Sequence, residues 1–251
     1  MTSSSTALTP SPAGRRYLDR VAALLAQVED RQWGCISAAA EIVAEALVAG
    51  RTLHAFGSGH SHMLAEELYY RAGGLVRVRP ILFEGLMLHA GGPLSTRLER
   101  ISGLGSAILE DHGVAAGDVL LIASNSGGNA VIVEMAREAR RRGLRTIAIT
   151  SIAHATSAQA RQAAGPRLHE LVDVVIDNGG AVGDAAVEID GLAARVAPTS
   201  TVIGAAVINA MVAQVVERMV AMGSEPEVFT SANLAGGDEV NEAHFARTDG
   251  R

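Results

Sequence analysis

Three observations predict an α/β fold built on a parallel sheet. Short apolar runs at 52–56, 75–82, 118–123, 145–150 and 171–176 are too brief for helices and are bounded by polar or glycine residues, so each reads as a buried strand. Between them lie stretches with helical spacing, of which 130–142 is the clearest: Ile132, Met135, Ala136 and Ala139 recur against Glu134, Arg137, Glu138 and Arg140-Arg141-Arg142. Two loops rich in glycine and serine, Gly57-Ser58-Gly59-His60-Ser61 and Ser124-Asn125-Ser126-Gly127-Gly128-Asn129, each join a strand to a helix. Strand, loop and helix in alternation make βαβ units, which cross over right-handed and put both loops on the carboxyl edge of one sheet.

Residues 1–14, mostly Ser, Thr and Pro with little to bury, read as a disordered tail. From Arg15 the spacing of Leu18, Val21, Leu24, Leu25 and Val28 predicts an amphipathic helix to about Gln32, and a second helix covers 35–48. The first strand, 52–56, leads through its loop into a helix over 62–71. Gly73-Gly74 then breaks the chain ahead of strand 75–82, in which Pro80 falls near the end, and Phe83-Glu84-Gly85 emerges on the same edge as the loops. Strand 118–123 runs into the second loop, Gly143 ends the following helix, and 145–150 completes the unit. Beyond it, 154–165 reads as a loop with a short helix and 171–176 as a strand. Asn178-Gly179-Gly180 turns, and Gly183-Asp184 either borders the site or caps a helix. Residues 202–220 are apolar nearly all round, so that helix is expected centrally or at a subunit interface. The segment 224–251, with Ser231-Ala232-Asn233, the run Gly236 to Asn241, and His244, is too varied for a disordered extension. It is expected to close over the pocket, its own or a partner's, with packing on the outside of a dimer as the rival reading.

At 251 residues and 48 % hydrophobic, the chain buries a sizeable core in one α/β domain. Net charge is −6 and the basic run 140–142 reads as a helix end complementing its dipole, which argues against a nucleic-acid partner. All 21 positive side chains are Arg, and the absence of Lys excludes Schiff-base chemistry and lysine-held pyridoxal phosphate. Acid–base work therefore falls to Glu, Asp or His. Cys35 is alone and reads as core, so no internal disulfide is expected. With neither a membrane-span pattern nor a signal peptide, the expectation is a cytoplasmic protein with no membrane partner.

The 124–129 loop has the chemistry of a phosphate cradle. Its glycines let the backbone approach a ligand, its Ser and Asn side chains donate, and free N–H groups at the helix start favour an anion by roughly 0.3–1 kcal/mol. It lacks the Gly-Lys-Ser/Thr of a nucleotide loop and the glycine spacing of a dinucleotide fingerprint, which argues against ATP, GTP and NAD; no cofactor is expected. A Ser/Gly turn that only caps a helix is the rival reading, weakened by the second such loop on the same edge.

These two loops, with Pro198-Thr199-Ser200-Thr201 opening the late helix, resemble the sugar isomerase (SIS) domain over 15–223. The Ser-x-Ser-Gly-x-Asn loop is the most specific part. The resemblance implies an αβα sandwich of three layers around a five-stranded parallel sheet, flavodoxin- or Rossmann-like. It also implies a homodimer or dimer of dimers and a small phosphosugar as ligand. It places Ser124, Ser126 and Asn129 on the phosphate with Asn125 beside them, Ser58 and Ser61 at the first loop, and Ser200 and Thr201 along the sugar.

Branches of that family differ in chemistry. Phosphoheptose isomerases carry Glu-Leu-x-x-Arg after the first loop, present here as Glu67-Leu68-Tyr69-Tyr70-Arg71, and a late-helix histidine that is absent here. His62 and Glu66 make only two ligands, so no metal is expected. In N-acetylmuramic acid 6-phosphate etherases a glutamate precedes Ala-Gly-Gly, as Glu84 precedes Ala90-Gly91-Gly92; their second acidic residue falls near 106–110, where Glu110 fits better than Glu99. Over its whole length the chain is most similar to single-domain SIS proteins that include an N-acetylglucosamine 6-phosphate dehydratase, through 60–67, 84–89 and 231–241.

Such chemistry requires a carboxylate or imidazole to remove the proton beside the carbonyl of an open-chain sugar, with hydrogen bonds to the developing enolate. A 2-acetamido group blocks simple ketose formation and makes expulsion of the carbon 3 oxygen the productive exit. The expected parts are Glu84 as base and His60 or His62 as acid, His60 being preferred because it lies inside the glycine loop, with Glu67 as a further catalytic candidate.

Overall fold

The computed structural model describes residues 11–159 and 165–248. Its elements are α1 (Ala13–Val48), β1 (Leu53–Gly57), α2 (His62–Leu68), β2 (Val78–Ile81), α3 (Gly92–Leu98), α4 (Leu104–Asp111), β3 (Val119–Ala123), α5 (Ala130–Arg141), β4 (Arg145–Thr150), α6 (Ile152–Ala155), β5 (Val174–Asp177), β6 (Ala185–Val187), β7 (Val196–Pro198), α7 (Ser200–Ala221) and α8 (Gly237–Thr248).

Five strands form one parallel sheet, as expected, and their order is β2-β1-β3-β4-β5. Side chains alternate across it. Leu53, Ala55, Val119, Leu121, Ile147 and Ile149 face α1, α2 and α7, whereas Phe56, Leu120, Ile122 and Ala148 face α4 and α5. Central β1 and β3 are buried at every position, which explains their unbroken apolar runs. Pro80 is tolerated because β2 is an edge strand.

The N-terminal region differs from expectation: one helix of 36 residues replaces two. The buried stripe Leu24, Val28, Ile36, Ala39 and Val43 passes through Gln32 without a break. Gln32 looked like a helix end because it is polar, yet its side-chain oxygen accepts a hydrogen bond from the Asp177 amide (3.1 Å) at the end of β5. Residues 1–10 of the expected tail lie outside the described residues, as do 160–164 of the expected 154–165 loop, and Ala13 and Gly14 are already helical.

Two strands are shorter than their apolar runs. Leu75 and Val76 instead pair with the C-terminal segment, through a Leu75–Val228 antiparallel bridge and the Val76 amide donating to the Glu227 carbonyl (3.1 Å). Asp173, inside the expected fifth strand, accepts hydrogen bonds from the Thr146 amide (2.7 Å) and hydroxyl (3.0 Å), so pairing begins only at Val174. The β6–β7 antiparallel ribbon was not anticipated.

Helix α7 lies across the sheet face against α1 and α2, burying Ile203, Val207, Ile208, Met211 and Val215. By length and composition it is the one helix among the described residues long and apolar enough to cross a membrane; here its buried side forms part of the core.

Candidate functional site

From β1 the chain moves outward to β2, and from β3 it moves the other way to β4, so the strand order reverses between β1 and β3. At such a switch point the carboxyl ends of neighbouring strands open a crevice. Gly57 is in register with Ala123, which sets Ser58 and Ser124 at the same height on its two sides. Gly57 is required there: a Cβ would overlap the Ser61 carbonyl, because the loop folds back on itself.

Ser61, Ser124, Asn125, Asn178, Ser200 and Thr201 line one crevice over Leu64, Ala123 and Ile149. Four separate strand or helix ends supply these groups. The Ser124 hydroxyl accepts from the Gly127 amide (3.1 Å), which closes the turn. The Asn125 side-chain oxygen accepts from Asn178 (2.8 Å), and the Asn178 oxygen accepts from the Gly180 amide (2.9 Å), so the loops after β3 and β5 are tied together. Ser126 and Asn129 sit half-buried in the same loop, Asn129 at the start of α5.

Two helix starts meet this region and differ in charge. Asp184 accepts hydrogen bonds from the Thr199 amide (3.2 Å), the Ser200 amide (2.9 Å) and the Ser200 hydroxyl (2.5 Å), so it caps α7 and already supplies a negative charge there. The start of α5 has no side-chain cap and no acidic residue in its first turn. An anion is therefore better accommodated at α5, and neutral hydroxyls at α7. The Arg167 guanidinium fills the space a Cβ would occupy on Gly128, brought there by the Leu168 amide donating to the Gly127 carbonyl (2.9 Å).

The segment after β2 folds back over the first loop, α3 packing on residues 59–61. Glu84 begins this segment and is exposed. Glu99 ends it, half-buried, and accepts a hydrogen bond from the Ser58 hydroxyl (3.0 Å). Glu110 lies elsewhere, exposed near the end of α4 and 3.9 Å from Arg142, so of the two it is Glu99 that lies beside the first loop.

His62 is buried, its Nδ1 against the Gly59 carbonyl. A carbonyl only accepts, so Nδ1 carries a proton, and Nε2 lies 3.8 Å from Glu66. His89 faces the ring edge-on at 6.4 Å. His60 is exposed on the loop. Glu67 is held by Arg71 and by the Asn209 side chain of α7 (2.6 Å), at the far end of α2 from the loop. No group of three or more His, Cys, Asp or Glu with metal-binding geometry occurs among the described residues.

Asn178, Arg167 and Glu99 are the polar groups at this site that the loop motifs did not mark. The C-terminal segment lies away from the crevice of its own chain. Phe229, Phe245 and Tyr70 pack edge-on or tilted with centroids 5.1–5.4 Å apart, at the end of α2 where the chain turns toward the amino edge of β2.

Sheet order and polar loops together define a doubly wound α/β protein with a polar crevice at its switch point. A sequence profile described as SIS domain matches residues 16–151, and the chain belongs to the SIS domain family. A UPF0309 protein of Shouchella clausii is 40 % identical over 233 residues, covering 92 % of this chain and 95 % of the relative. One from Brucella abortus is 44 % identical over 233 residues, covering 92 % and 94 %. Among solved structures, a phosphoheptose isomerase from Neisseria gonorrhoeae has a TM-score of 0.53 at 19 % identity, over 80 % of this chain and 97 % of that one. The Vibrio vulnificus NanR protein complexed with ManNAc-6P has a TM-score of 0.50 at 16 % identity, over 95 % and 68 %. At these identities both share the fold.

Proposed function

We propose that this protein is a phosphosugar lyase that dehydrates N-acetylglucosamine 6-phosphate or a close relative. The observation that carries the reading is the convergence of Ser61, Ser124, Asn125, Ser200 and Thr201 on one crevice beside an uncapped helix start. The phosphate binds at the start of α5 with Ser124, Ser126 and Asn129, its charge met by the helix amides and Arg167. Ser61, Asn125, Ser200 and Thr201 hold sugar hydroxyls, and Ser200 accepts rather than donates because its proton is committed to Asp184.

Glu84 takes the proton from carbon 2 of the open-chain aldehyde, and the electron pair moves into an enolate across carbons 1 and 2. The enolate collapses to restore the aldehyde and form the carbon 2–carbon 3 double bond. The carbon 3 hydroxyl leaves with a proton from His60 or His62, as water. Glu99, on Ser58, is the second carboxylate at the reacting end. The chain acts as a homodimer in which the C-terminal segment covers the neighbour's crevice, shielding the otherwise exposed Glu84.

Incubation with amino-sugar 6-phosphates, followed by product mass, tests this. Loss of one water supports the lyase; unchanged mass with a new isomer would instead make it an isomerase, and binding without turnover a sensor. Glu84→Gln is expected to abolish turnover with phosphosugar affinity retained, and full activity in that variant would remove Glu84 from the mechanism.

A further inference from the structure

Resting on the phosphosugar reading, and narrowing the part given there to Asn125 and Ser200, we infer that the crevice selects an acylated amino sugar against the free amine, with Asn178 as the positioning residue that sets this selectivity. Two chains of hydrogen bonds reach the crevice, and each has a fixed direction. One starts at the Gly180 amide and ends on Asn125. The other starts at Ser200 and ends on Asp184.

A backbone group sets the sense of the first chain. Gly180 is anchored by the buried Ser151 hydroxyl, which donates to its carbonyl (2.7 Å). A backbone N–H only donates, so the Asn178 atom 2.9 Å from the Gly180 amide is its side-chain oxygen. Its Nδ2 then faces Asn125, whose partner atom 2.8 Å away has to accept and is the oxygen. Asn178 is buried, so the Asn125 amide cannot turn over without losing this bond. Asn125 lines the crevice, and its Nδ2 meets no acceptor among the described residues, so toward a ligand this side chain donates.

At Ser200 the sense is opposite. Asp184 takes the Ser200 proton together with the Thr199 and Ser200 amides, which leaves the Ser200 oxygen to accept. Asp184 makes these three bonds at a φ of +68°, a conformation uncommon outside glycine. A ligand group that completes both chains therefore accepts from Asn125 and donates to Ser200. An acylated nitrogen does this with its carbonyl oxygen and its N–H, and a hydroxyl does it with one oxygen. A protonated amine has donors only, so it leaves the Asn125 N–H unpaired and sets a positive charge against it. Acylated and free amino sugars differ at carbon 2, and that substituent is the one these two residues read.

The test is calorimetric titration of the full chain with N-acetylglucosamine 6-phosphate and glucosamine 6-phosphate, at a pH where the free amine is protonated; it needs no turnover. Wild type is expected to bind the acetylated sugar about tenfold more tightly. In Asn178→Asp both side-chain oxygens accept, so Asn125 turns its nitrogen inward and shows its oxygen to the ligand, and the preference is expected to reverse. Damage to packing alone would weaken both sugars without reversing their order. Asn178→Ala adds no charge and lets Asn125 present either atom, so it is expected to lose most of the preference, and it decides the matter if Asn178→Asp does not fold. Equal affinities in wild type, or wild-type preference in either folded variant, would overturn the inference. Selective binding without turnover would sink the lyase alone, turnover without selectivity this inference alone, and binding of neither sugar both.

Discussion

Gly128 has no room for a methyl group because Arg167 already occupies that space. Gly128→Ala is therefore expected to expel the guanidinium and weaken phosphosugar binding. Arg167→Ala is expected to cost about 1.5–3 kcal/mol of binding, the value of a hydrogen bond to a charged group. In the Arg167→Ala background Gly128→Ala should add little, and additive losses by calorimetric titration would mean that the two do not act together. Ser124, Ser126 and Asn129 were legible because a local spacing marks them. Arg167 was not, and Glu99 ranked below Glu110, since each is brought in from a remote segment: 41 residues separate Ser58 from Glu99.

Helix α1 carries a polar side chain on its buried stripe. Gln32→Ala removes the acceptor of the Asp177 amide, and urea unfolding is expected to show a loss of about 0.5–1.5 kcal/mol. An unchanged midpoint would show that water replaces the bond fully. At the end of α5, Arg141 and Arg142 bind Glu138 and hold its carboxyl down to about 2. Because the folded value is depressed, this clasp stabilises above the ordinary carboxylate value of 4.5 and is lost as pH falls toward about 2. Glu138→Gln should flatten that part of the acid unfolding curve. Helix and strand identities followed from apolar periodicity, but their ends did not. Asp173 and the tail strand at Val228 trim strands through contacts that no local window contains.

The whole molecule should also sense pH through its buried histidines. Burial lowers the pKa of His54 and His112, so their contribution is complete above the ordinary imidazole value of 6.5 and is lost as pH falls through it toward the depressed folded values. Thermal melts of wild type are expected to fall between about pH 7 and pH 5. His54→Asn should reduce that slope; the same slope in the variant would assign the acid sensitivity elsewhere. In a core this closely filled, Leu120→Ala is expected to cost about 2–5 kcal/mol without altering the sheet order.

By itself the sequence determined the α/β class, the placement of two serine loops on one edge and the absence of lysine chemistry, because periodicity, turn composition and residue inventory are local properties. Tertiary structure alone decided the reversal point between β1 and β3, the meeting of Asn125 with Asn178, and the arrival of Glu99 and Arg167 at the loops. It also set the C-terminal segment at the amino edge and brought His54, His112 and Asp118 together there. Those relations depend on which surfaces pack against which, and burying two faces of one sheet is a condition on the whole chain.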